Sequence, residues 1–290
     1  MPSLRSGPGL APRARLPAMR SLPVRGPAVR ELGLRLPPGR MPLLRGGRPL
    51  KRWRYVGVYS PDVMLCAGEA RVGGLPQRWW AIALPDGTLF ERTSARRIGL
   101  RLGPGRVLVA RRDLSIDLEL DETGGVEVVS GHGGGYIWTR KQAGIPVRGR
   151  VAMLGTTWEL DGHWGFIDDS AGYHARHTRW RWSAGLGLAR DGERVAWNLV
   201  EGVHDAPVES ERTLWVEGVP HEVGPQPFAA DLSSVGDLRF TPWCEREDHT
   251  NRLLFRSDYR QAFGAFAGEL PCGLELESGR GVMEWHDVRW

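Results

Sequence analysis

The amino-acid sequence predicts an all-β protein built from two barrel-like antiparallel halves. Short apolar or aromatic runs alternate with turn residues roughly every 8–12 positions, a spacing typical of sandwiches and barrels. Glycine (39), proline (21) and tryptophan (13) are abundant. No stretch of a dozen residues carries the 3.6-residue period of an amphipathic helix. At 290 residues, the chain is long enough for one large β domain or two of ordinary size.

The first series of strands begins at an aromatic run and ends before a glycine-rich loop. Its predicted strands are 53–59, 63–72, 79–84, 88–92, 106–110, 114–120 and 125–130. Asp86-Gly87 lies between two apolar runs, which is typical of a two-residue hairpin turn. We assign residues 48–145 to this first half.

The second half covers residues 146–290 and has its own Asp-Gly hairpin. Its predicted strands are 147–151, 156–160, 178–188, 193–202, 213–217, 239–240, 252–256, 264–269, 274–277 and 282–290. A two-residue turn at Asp191-Gly192 would pair Leu186 with Trp197 and Trp182 with Glu201.

Strand 178–188 divides its side chains cleanly between two faces, because strand residues alternate sides. With the predicted register, the first face carries Trp180, Trp182 and Trp197, with Glu201 at its edge. The second carries Arg181 and Asn198 among small residues, which leave room for a ligand or for close backbone packing.

Residues 1–47 differ from the body and are predicted to form a disordered arm. The first 54 residues hold 13 Arg or Lys and one acid, with prolines that interrupt regular structure. Phosphate contacts to a nucleic acid or another anionic surface are one interpretation. A solvated tail, or a leader upstream of a start at Met19 or Met41, is the other. We consider a nucleic-acid partner the weaker possibility.

Composition excludes several classes of protein. No run of 18 apolar residues exists, so no membrane span is expected. Cys66, Cys244 and Cys272 are widely spaced and odd in number, which favours neither disulfides nor zinc and fits a reducing cytoplasm. The near absence of Lys and Asn indicates a GC-rich, bacterial genome. We expect no metal and no cofactor, and the oligomeric state stays open.

The candidate catalytic residues cluster just ahead of strand 178–188. Asp168 and Asp169 would point to opposite faces of a strand, so only one could enter a pocket, where desolvation would keep it protonated as a general acid. Alternatively, residues 168–170 form a polar turn. Tyr173, His174 and His177 form a proton relay, bind an oxyanion, or are ordinary satisfied side chains. The two histidines would face apart on a strand, which argues against a metal.

The candidate ligand-binding residues, which follow the two aspartates in the chain, are His177, Trp180, Arg181, Trp182, Trp197, Asn198, Glu201, Glu284 and His286. The tryptophans 180, 182 and 197 form a ligand wall or a core, and Arg181 either anchors an anion or pairs across strands. Glu284 and His286 share a face of the last strand and form an acid–base pair or a structural one.

Four runs carry a resemblance to a known family. They are R-P-L-K-R-W-R-Y-V-G-V-Y (48–59), D-D-S-A-G-Y-H-A-R-H-T-R-W-R-W-S-A-G (168–185), N-L-V-E-G-V-H-D (198–205) and G-V-M-E-W-H-D-V-R-W (281–290). On these runs, residues 48–290 resemble the bacterial domain-of-unknown-function family 2804.

A second, more distant resemblance concerns activity. The run V-R-G-R-V-x₃-G-T-T-W-x₃-G-H-W-G (147–165), followed by Asp168 and Asp169, is similar to the carotenoid hydratase (hydroxyneurosporene synthase) and AttH-like group. That resemblance implies two lipocalin-like (calycin-type) β-barrel halves and cofactor-free acid chemistry on apolar substrates. It also implies that one of the two aspartates is the acid.

Together these observations give a leading hypothesis and a rival. The leading hypothesis is a binder of an apolar or amphiphilic small molecule in a Trp-lined pocket. The rival is a cofactor-free hydratase, isomerase or cyclase with Asp168 or Asp169 as acid, Tyr173 and His174 as relay and Arg181 as anchor.

Overall fold

Antiparallel strands make up nearly all of the fold. The structure is a computed structural model that describes residues 22–252 and 255–289, except the side chains of Arg252 and Phe255. Within these ranges it contains 22 strands and one seven-residue 3₁₀ helix, Gly26–Leu32. No helix in the described ranges has the length and apolar character needed to cross a membrane.

The strands are numbered in chain order. They are β1 (Val24–Arg25), β2 (Leu44–Arg45), β3 (Arg48–Pro49), β4 (Lys51–Tyr59), β5 (Met64–Val72), β6 (Leu75–Ala83), β7 (Leu89–Ser94), β8 (Leu100–Gly103), β9 (Arg106–Ala110), β10 (Leu114–Leu120), β11 (Val126–His132), β12 (Gly135–Met153), β13 (Thr156–Glu159), β14 (Trp164–Gly172), β15 (His177–Ala189), β16 (Arg194–Glu201), β17 (Thr213–Val216), β18 (Val219–Glu222), β19 (Ser234–Val235), β20 (Leu238–Arg252), β21 (Phe255–Gly268) and β22 (Leu276–Arg289). The predicted strands at 252–256 and 282–290 include residues 253, 254 and 290, which lie outside the described residues.

Two large sheets divide the chain. The first runs β7-β6-β5-β4-β14-β12-β10-β9-β8, with β1, β11 and β13 joined at its side. The second runs β18-β17-β16-β15-β22-β21-β20-β19. The sheets therefore change over between Gly172 and His177, whereas the predicted boundary at 145/146 falls inside the long strand β12.

Each sheet curls around its own apolar core. In the first core, Trp80 and Ile82 of β6 pack with Val107 and Val109 of β9, although these strands lie near opposite ends of the sheet. No ladder joins the first strand of either path to its last within the described residues. The structure thus confirms the predicted all-β fold of two antiparallel, barrel-like halves, each of them a curled open sheet.

A third core joins the two sheets face to face. It takes Tyr55 and Phe166 from the first sheet and Trp182, Ala184 and Phe263 from the second. Strand alternation explains the arrangement, because these side chains leave their strands on the side opposite to the inner cores. The sheets therefore meet over a common interface, and the candidate site lies at the edge of that interface.

The predicted register of the β15–β16 hairpin is wrong by one residue. Trp182 pairs with Val200 and Gly185 with Trp197, and Arg181 lies opposite Glu201. The amide of Ala189 donates to the carbonyl of Glu193, so the turn holds three residues instead of two. One extra residue moves the whole partner strand to the other face.

The extra turn residue removes Trp197 from the predicted tryptophan face. Its indole packs in the core of the second sheet with Leu199 and lies across Gly185, where an added Cβ would come within 2.0 Å of the ring. The space that the small residues leave is therefore filled by Trp197 itself, and its Nε1 donates to Ser183 Oγ at 3.0 Å.

The prediction that the arm has no regular structure as far as residue 47 needs a correction. Residues 1–21 lie outside the described residues. From residue 22 on, β1 pairs with β11 and the 3₁₀ helix follows. Val29 and Leu36 are buried against Tyr136 and Tyr173. Enough apolar side chains interrupt this basic segment for it to pack on the first sheet.

Candidate functional site

A cavity of about 230 Å³ lies between the two sheets. Six aromatic side chains from both sheets line it: Trp53, Tyr55, Trp79, Trp180, Trp182 and Tyr259. The indoles of Trp53 and Trp180 stack across it, with ring centroids 6.5 Å apart and planes inclined by 9°. Large apolar walls with a few polar groups are typical of small-molecule sites.

Strand alternation brings the lining residues to one side. Lys51, Trp53 and Tyr55 occupy alternate positions of β4, and Glu284 and His286 do the same on β22. Residues two apart on a strand share a face, so the side chains named on each strand all face the cavity.

The first acidic group of the cavity, Asp168, belongs to an ion-paired cluster. Its carboxylate lies 2.6 Å from Lys141 Nζ and accepts a hydrogen bond from Trp53 Nε1 at 3.0 Å. Lys141 also lies 3.4 Å from the buried carboxylate of Glu211. Burial by itself would lower the pKa of Lys141, but the attraction of the two carboxylates outweighs burial and raises that pKa.

The second acidic group, Glu284, is surrounded by neutral hydrogen-bond donors. Its carboxyl accepts hydrogen bonds from Trp180 Nε1 at 2.8 Å, Tyr259 Oη at 3.0 Å and Gln261 Nε2 at 2.8 Å. Burial raises the pKa of Glu284 in spite of these donors, and the charge of Asp168 adds to the effect. The two carboxyl groups therefore occupy different environments, one beside a lysine and the other among neutral donors.

Of the histidines that line the cavity, His174 and His204 are buried and His286 is half-buried, and all three are held neutral. His286 hydrogen-bonds to Ser257 Oγ at 2.8 Å, and His204 Nδ1 to Ser130 Oγ at 2.9 Å. Burial lowers the pKa of each of these two imidazoles to about 3. Burial also holds the pKa of His174 well below its usual value. Within the described part of the chain, Nε2 of His174 and Nε2 of His204 have no hydrogen-bond partner.

The two lysines of the chain, Lys51 and Lys141, both line this cavity. Lys51 is 6% exposed, and burial lowers its pKa to about 6. The paired Lys141 shows the opposite shift. One cavity thus holds an ammonium group and an amine that is mostly neutral at pH 7.

No group of three or more His, Cys, Asp or Glu side chains within the described ranges is arranged to hold a metal ion.

Comparison with known families identifies the chain. Residues 89–290 match the family model described as "Domain of unknown function (DUF2804)". This protein belongs to the DUF2804 family. The matched region contains Lys141, Asp168 and Glu284, while β4, which carries Lys51 and Trp53, precedes it.

Solved structures with a similar overall arrangement differ widely in sequence. A putative AttH from Nitrosomonas europaea shares 14% identity, with a TM-score of 0.49, over 86% of this chain and 97% of that one. Kievitone hydratase from Nectria haematococca shares 8%, with a TM-score of 0.44, over 83% and 88%. CghA with Sch210972 shares 11%, with a TM-score of 0.41, over 83% and 88%. No curated protein sequence matches the chain.

Six of the predicted site residues line the cavity: Asp168, His174, Trp180, Trp182, Glu284 and His286. Residues 168–170 belong to β14, so the alternative of a polar turn is wrong. As strand geometry requires, Asp168 and Asp169 leave β14 on opposite sides.

Asp169, which was predicted as a catalytic candidate, lies away from the cavity. Its carboxylate pairs with Arg54 at 3.0 Å and Arg140 at 2.6 Å, and both arginines also contact Glu122. Tyr173 is also displaced, because β14 ends at Gly172 and the phenol then turns towards the N-terminal segment. Its hydroxyl donates to the carbonyl of Pro42 at 2.8 Å.

Three further predicted site residues lie on the outer parts of the second sheet. His177 is exposed and pairs with Asp287 at 2.9 Å. Arg181 pairs with Glu201 at 3.1 Å, directly across the β15–β16 ladder. Neither Arg181 nor Glu201 reaches the cavity. Both side chains lie on the face of the sheet opposite to the face that carries Trp182.

Asn198 supports the cavity from behind without lining it. Its Oδ1 accepts a hydrogen bond from Trp182 Nε1 at 2.7 Å, and its Nδ2 donates to the backbone carbonyl of Glu211 at 2.9 Å. It thereby fixes one aromatic wall and one acidic residue of the site.

Sequence reasoning missed much of the polar lining, including Lys51, Trp53, Lys141, His204, Glu211 and Tyr259. One signal was present for the lysines. In a chain whose other 37 basic residues are arginines, two lysines stand out. The remaining residues come from distant strands, and no sequence spacing connects them.

Proposed function

We propose that this protein binds an apolar or amphiphilic small molecule in the cavity between its two sheets. The single observation that supports this most directly is the aromatic lining, which six side chains from both sheets supply. Aromatic rings bury large apolar areas and keep their shape, so a preformed cavity of this kind favours an apolar ligand.

Polar atoms in the same cavity favour an amphiphilic ligand over a pure hydrocarbon. The Nε2 atoms of His174 and His204 are buried, and within the described residues neither has a hydrogen-bond partner. A buried polar atom without a partner is unfavourable by about 1–3 kcal/mol. A ligand hydroxyl or carbonyl that bonds one of these nitrogens would remove that cost.

Binding can be tested with N-phenyl-1-naphthylamine, an apolar dye whose fluorescence rises in an apolar site. We expect saturable binding to the wild-type protein. Val203 lines the cavity, so Val203→Phe fills part of it and should weaken binding at least tenfold, or about 1.4 kcal/mol. Val219→Phe, at a position 55% exposed and outside the lining, is the matched control. Equal dye affinity in both variants would contradict the proposal.

A second candidate function, cofactor-free acid catalysis, is favoured by the contrast between the two carboxyl groups. Glu284 has a raised pKa and Asp168 is held next to a lysine. A protonated Glu284 would donate its proton to an alkene carbon, where the π electrons form the new C–H bond. The faces of Trp180 and Trp182 would stabilise the cation. Water would then add, and Asp168 would accept the proton it releases.

The test of catalysis is deuterium incorporation from D₂O into α-methylstyrene, followed by mass spectrometry. We expect wild-type protein to exceed buffer, and Glu284→Gln to lose the activity while it retains dye binding. Wild-type incorporation at the rate of buffer would leave the protein a binder without this chemistry.

A further inference from the structure

Two histidines of the cavity each keep one ring nitrogen without a hydrogen bond. His174 is 3% exposed and His204 is 7% exposed, and both side chains line the cavity. Within the described residues, Nε2 of each ring is buried and has no hydrogen-bond partner. Buried polar groups of proteins are nearly always hydrogen-bonded, so two exceptions in one cavity indicate a partner that enters from outside.

The backbone holds His204 in a conformation that few residues adopt. Its φ of 55° lies in the left-handed region, which is uncommon for residues other than glycine and is concentrated at functional sites. The carbonyl of His204 accepts from the amide of Glu211 at 3.1 Å, and Nδ1 of its ring hydrogen-bonds to Ser130 Oγ at 2.9 Å. Both contacts fix the ring, and Nε2, on the side away from Nδ1, is the atom left for a ligand.

His174 lies in the connection between the two sheets, just after the end of β14. The centroid of its ring lies 5.4 Å from that of Trp53 and 5.8 Å from that of His132. It is close enough to His204 for the charge of that ring to affect the pKa of His174. Since Trp53 also stacks with Trp180, the two unpartnered nitrogens lie beside the aromatic wall.

The chemistry of these nitrogens favours a hydroxyl group as the partner. Burial lowers the pKa of His204 to about 3 and holds that of His174 well below its usual value, so both rings are neutral at pH 7. Each Nε2 is then a bare acceptor or an N–H donor, according to the tautomer. A hydroxyl donates to the first and accepts from the second, whereas a ketone oxygen can only accept. A carboxylate would add a negative charge near Asp168, whose own charge already acts on His204.

We propose that His174 and His204 form a hydroxyl-binding subsite, and that the ligand of the cavity is an apolar alcohol. This inference rests on the proposed binding function and names the chemical class of the ligand. The hydrocarbon or aromatic body would lie against Trp53, Trp180 and Trp182, and the hydroxyl would lie at the two imidazoles.

The test compares ligands of one skeleton by their displacement of N-phenyl-1-naphthylamine. 4-Isopropylbenzyl alcohol and 4-isopropyltoluene differ only in the hydroxyl. Wild type should bind the alcohol more tightly by about tenfold or more, because a site built to bond a hydroxyl keeps unpaired polar atoms when it holds the hydrocarbon. 4′-Isopropylacetophenone, which only accepts hydrogen bonds, and 4-isopropylbenzoate, which is charged, should both bind more weakly than the alcohol.

Two variants locate the subsite. His174→Leu and His204→Leu should still bind the dye, which shows that they are folded, and should bring the affinities for alcohol and hydrocarbon close to each other. The hydrocarbon itself should bind at least as tightly as it does to wild type, because one unpartnered nitrogen is gone. His221→Leu, the same substitution at an exposed position of β18, is the matched control and should keep the wild-type preference.

The outcomes separate this inference from the proposed function. Wild-type protein that binds dye and hydrocarbon but gains nothing from the hydroxyl would overturn the subsite and leave the binding function. A preference for the alcohol that survives both histidine substitutions would do the same. Tighter binding of the ketone or the benzoate than of the alcohol would overturn the assignment to alcohols. Failure of dye, alcohol and hydrocarbon to bind would overturn both proposals.

Discussion

The two lysines show how neighbouring residues give one side chain two different states. Lys51 and Lys141 are both buried in one cavity, yet the pKa of Lys51 falls to about 6 while that of Lys141 rises. Desolvation acts on both, and only the carboxylates of Asp168 and Glu211 at Lys141 reverse its effect. The identity of the residue alone therefore does not set its chemistry.

Removal of the Lys51 amine should stabilise the fold in a pH-dependent way. Because the folded pKa of about 6 lies below the ordinary lysine pKa of 10.5, the unfolded chain binds more protons between these values, and wild-type stability rises with pH across that window. Lys51→Met removes this dependence. We expect a gain of a few kcal/mol at pH 6, since each pKa unit corresponds to about 1.4 kcal/mol, and progressively less gain towards pH 10.

Urea unfolding of the two proteins at several pH values measures that difference. Lys141→Met is the control, because it leaves Asp168 and Glu211 buried without their cation and should lower stability by about 3–5 kcal/mol. A Lys51→Met gain that does not change with pH would contradict the assigned state of the amine.

His286 should contribute to acid sensitivity. Its folded pKa of about 3 lies below the ordinary histidine pKa of 6.5, so its neutral form stabilises the fold fully above pH 6.5 and the contribution is lost as pH falls towards 3. Lys51, Asp258 and Asp287 also act on its charge, but burial is the largest influence. Between pH 7 and pH 5, wild type should lose about 2 kcal/mol more than His286→Gln.

The comparison uses urea midpoints at the two pH values. His221→Gln, at an exposed position of β18, should follow the wild-type curve. Parallel curves for wild type and His286→Gln would show that this imidazole is not held neutral by burial.

At the level of elements, one turn residue decides which face a strand presents. The Asp-Gly pairs predicted both hairpins, and both are present. However, Gly87 and Gly192 are each the last residue of a three-residue turn, with φ values of 90° and 89°. Such turns end with a left-handed residue, usually glycine, and they differ from two-residue turns by one position of register. Patterns of alternating apolar and polar residues identify strands well, but they do not show how many residues form the turn between two strands.

The same limit explains which site residues the sequence could predict. Alternation within one strand was enough to predict Trp180 and Trp182 on β15, and Glu284 and His286 on β22. All four side chains line the cavity. Trp197 was assigned through a pairing between strands, and the pairing was off by one. Lys141 and Tyr259 meet Asp168 and Glu284 only through the tertiary fold, so their roles could not be read from local patterns.

Gly185 is required where β15 passes beneath Trp197. An added Cβ would lie 2.0 Å from the indole, which is enclosed in the second core. Gly185→Ala should therefore destabilise the protein by about 1–3 kcal/mol through overpacking. Gly103→Ala, where an added Cβ meets nothing within 4 Å, is the matched control. Urea unfolding followed by tryptophan fluorescence measures both, and equal midpoints would contradict the packing argument.

At the scale of the whole molecule, the N-terminal segment joins the two sheets beside the cavity. The backbone of Arg25 belongs to β1 and pairs with Val128 of the first sheet. Its guanidinium donates to the carbonyl of Ser210 and, at 3.0 Å, to Thr213 Oγ1 on the second sheet. Ser210 directly precedes Glu211, which lines the cavity. A single side chain thus connects both sheets to one edge of the site.

Arg25→Met should loosen that edge of the cavity without removing its lining. Loss of charged hydrogen bonds of this kind lowers stability by about 1.5–3 kcal/mol. We expect faster dissociation of N-phenyl-1-naphthylamine in stopped-flow measurements, because the segment that carries Glu211 is less restrained. Arg30→Met is the matched control, since Arg30 hydrogen-bonds to Glu127 of the first sheet and to the carbonyl of Pro37 in the N-terminal segment. If both variants release the dye at the same rate, the connection through Arg25 does not govern access to the cavity, and the interface between the sheets must hold that edge by itself.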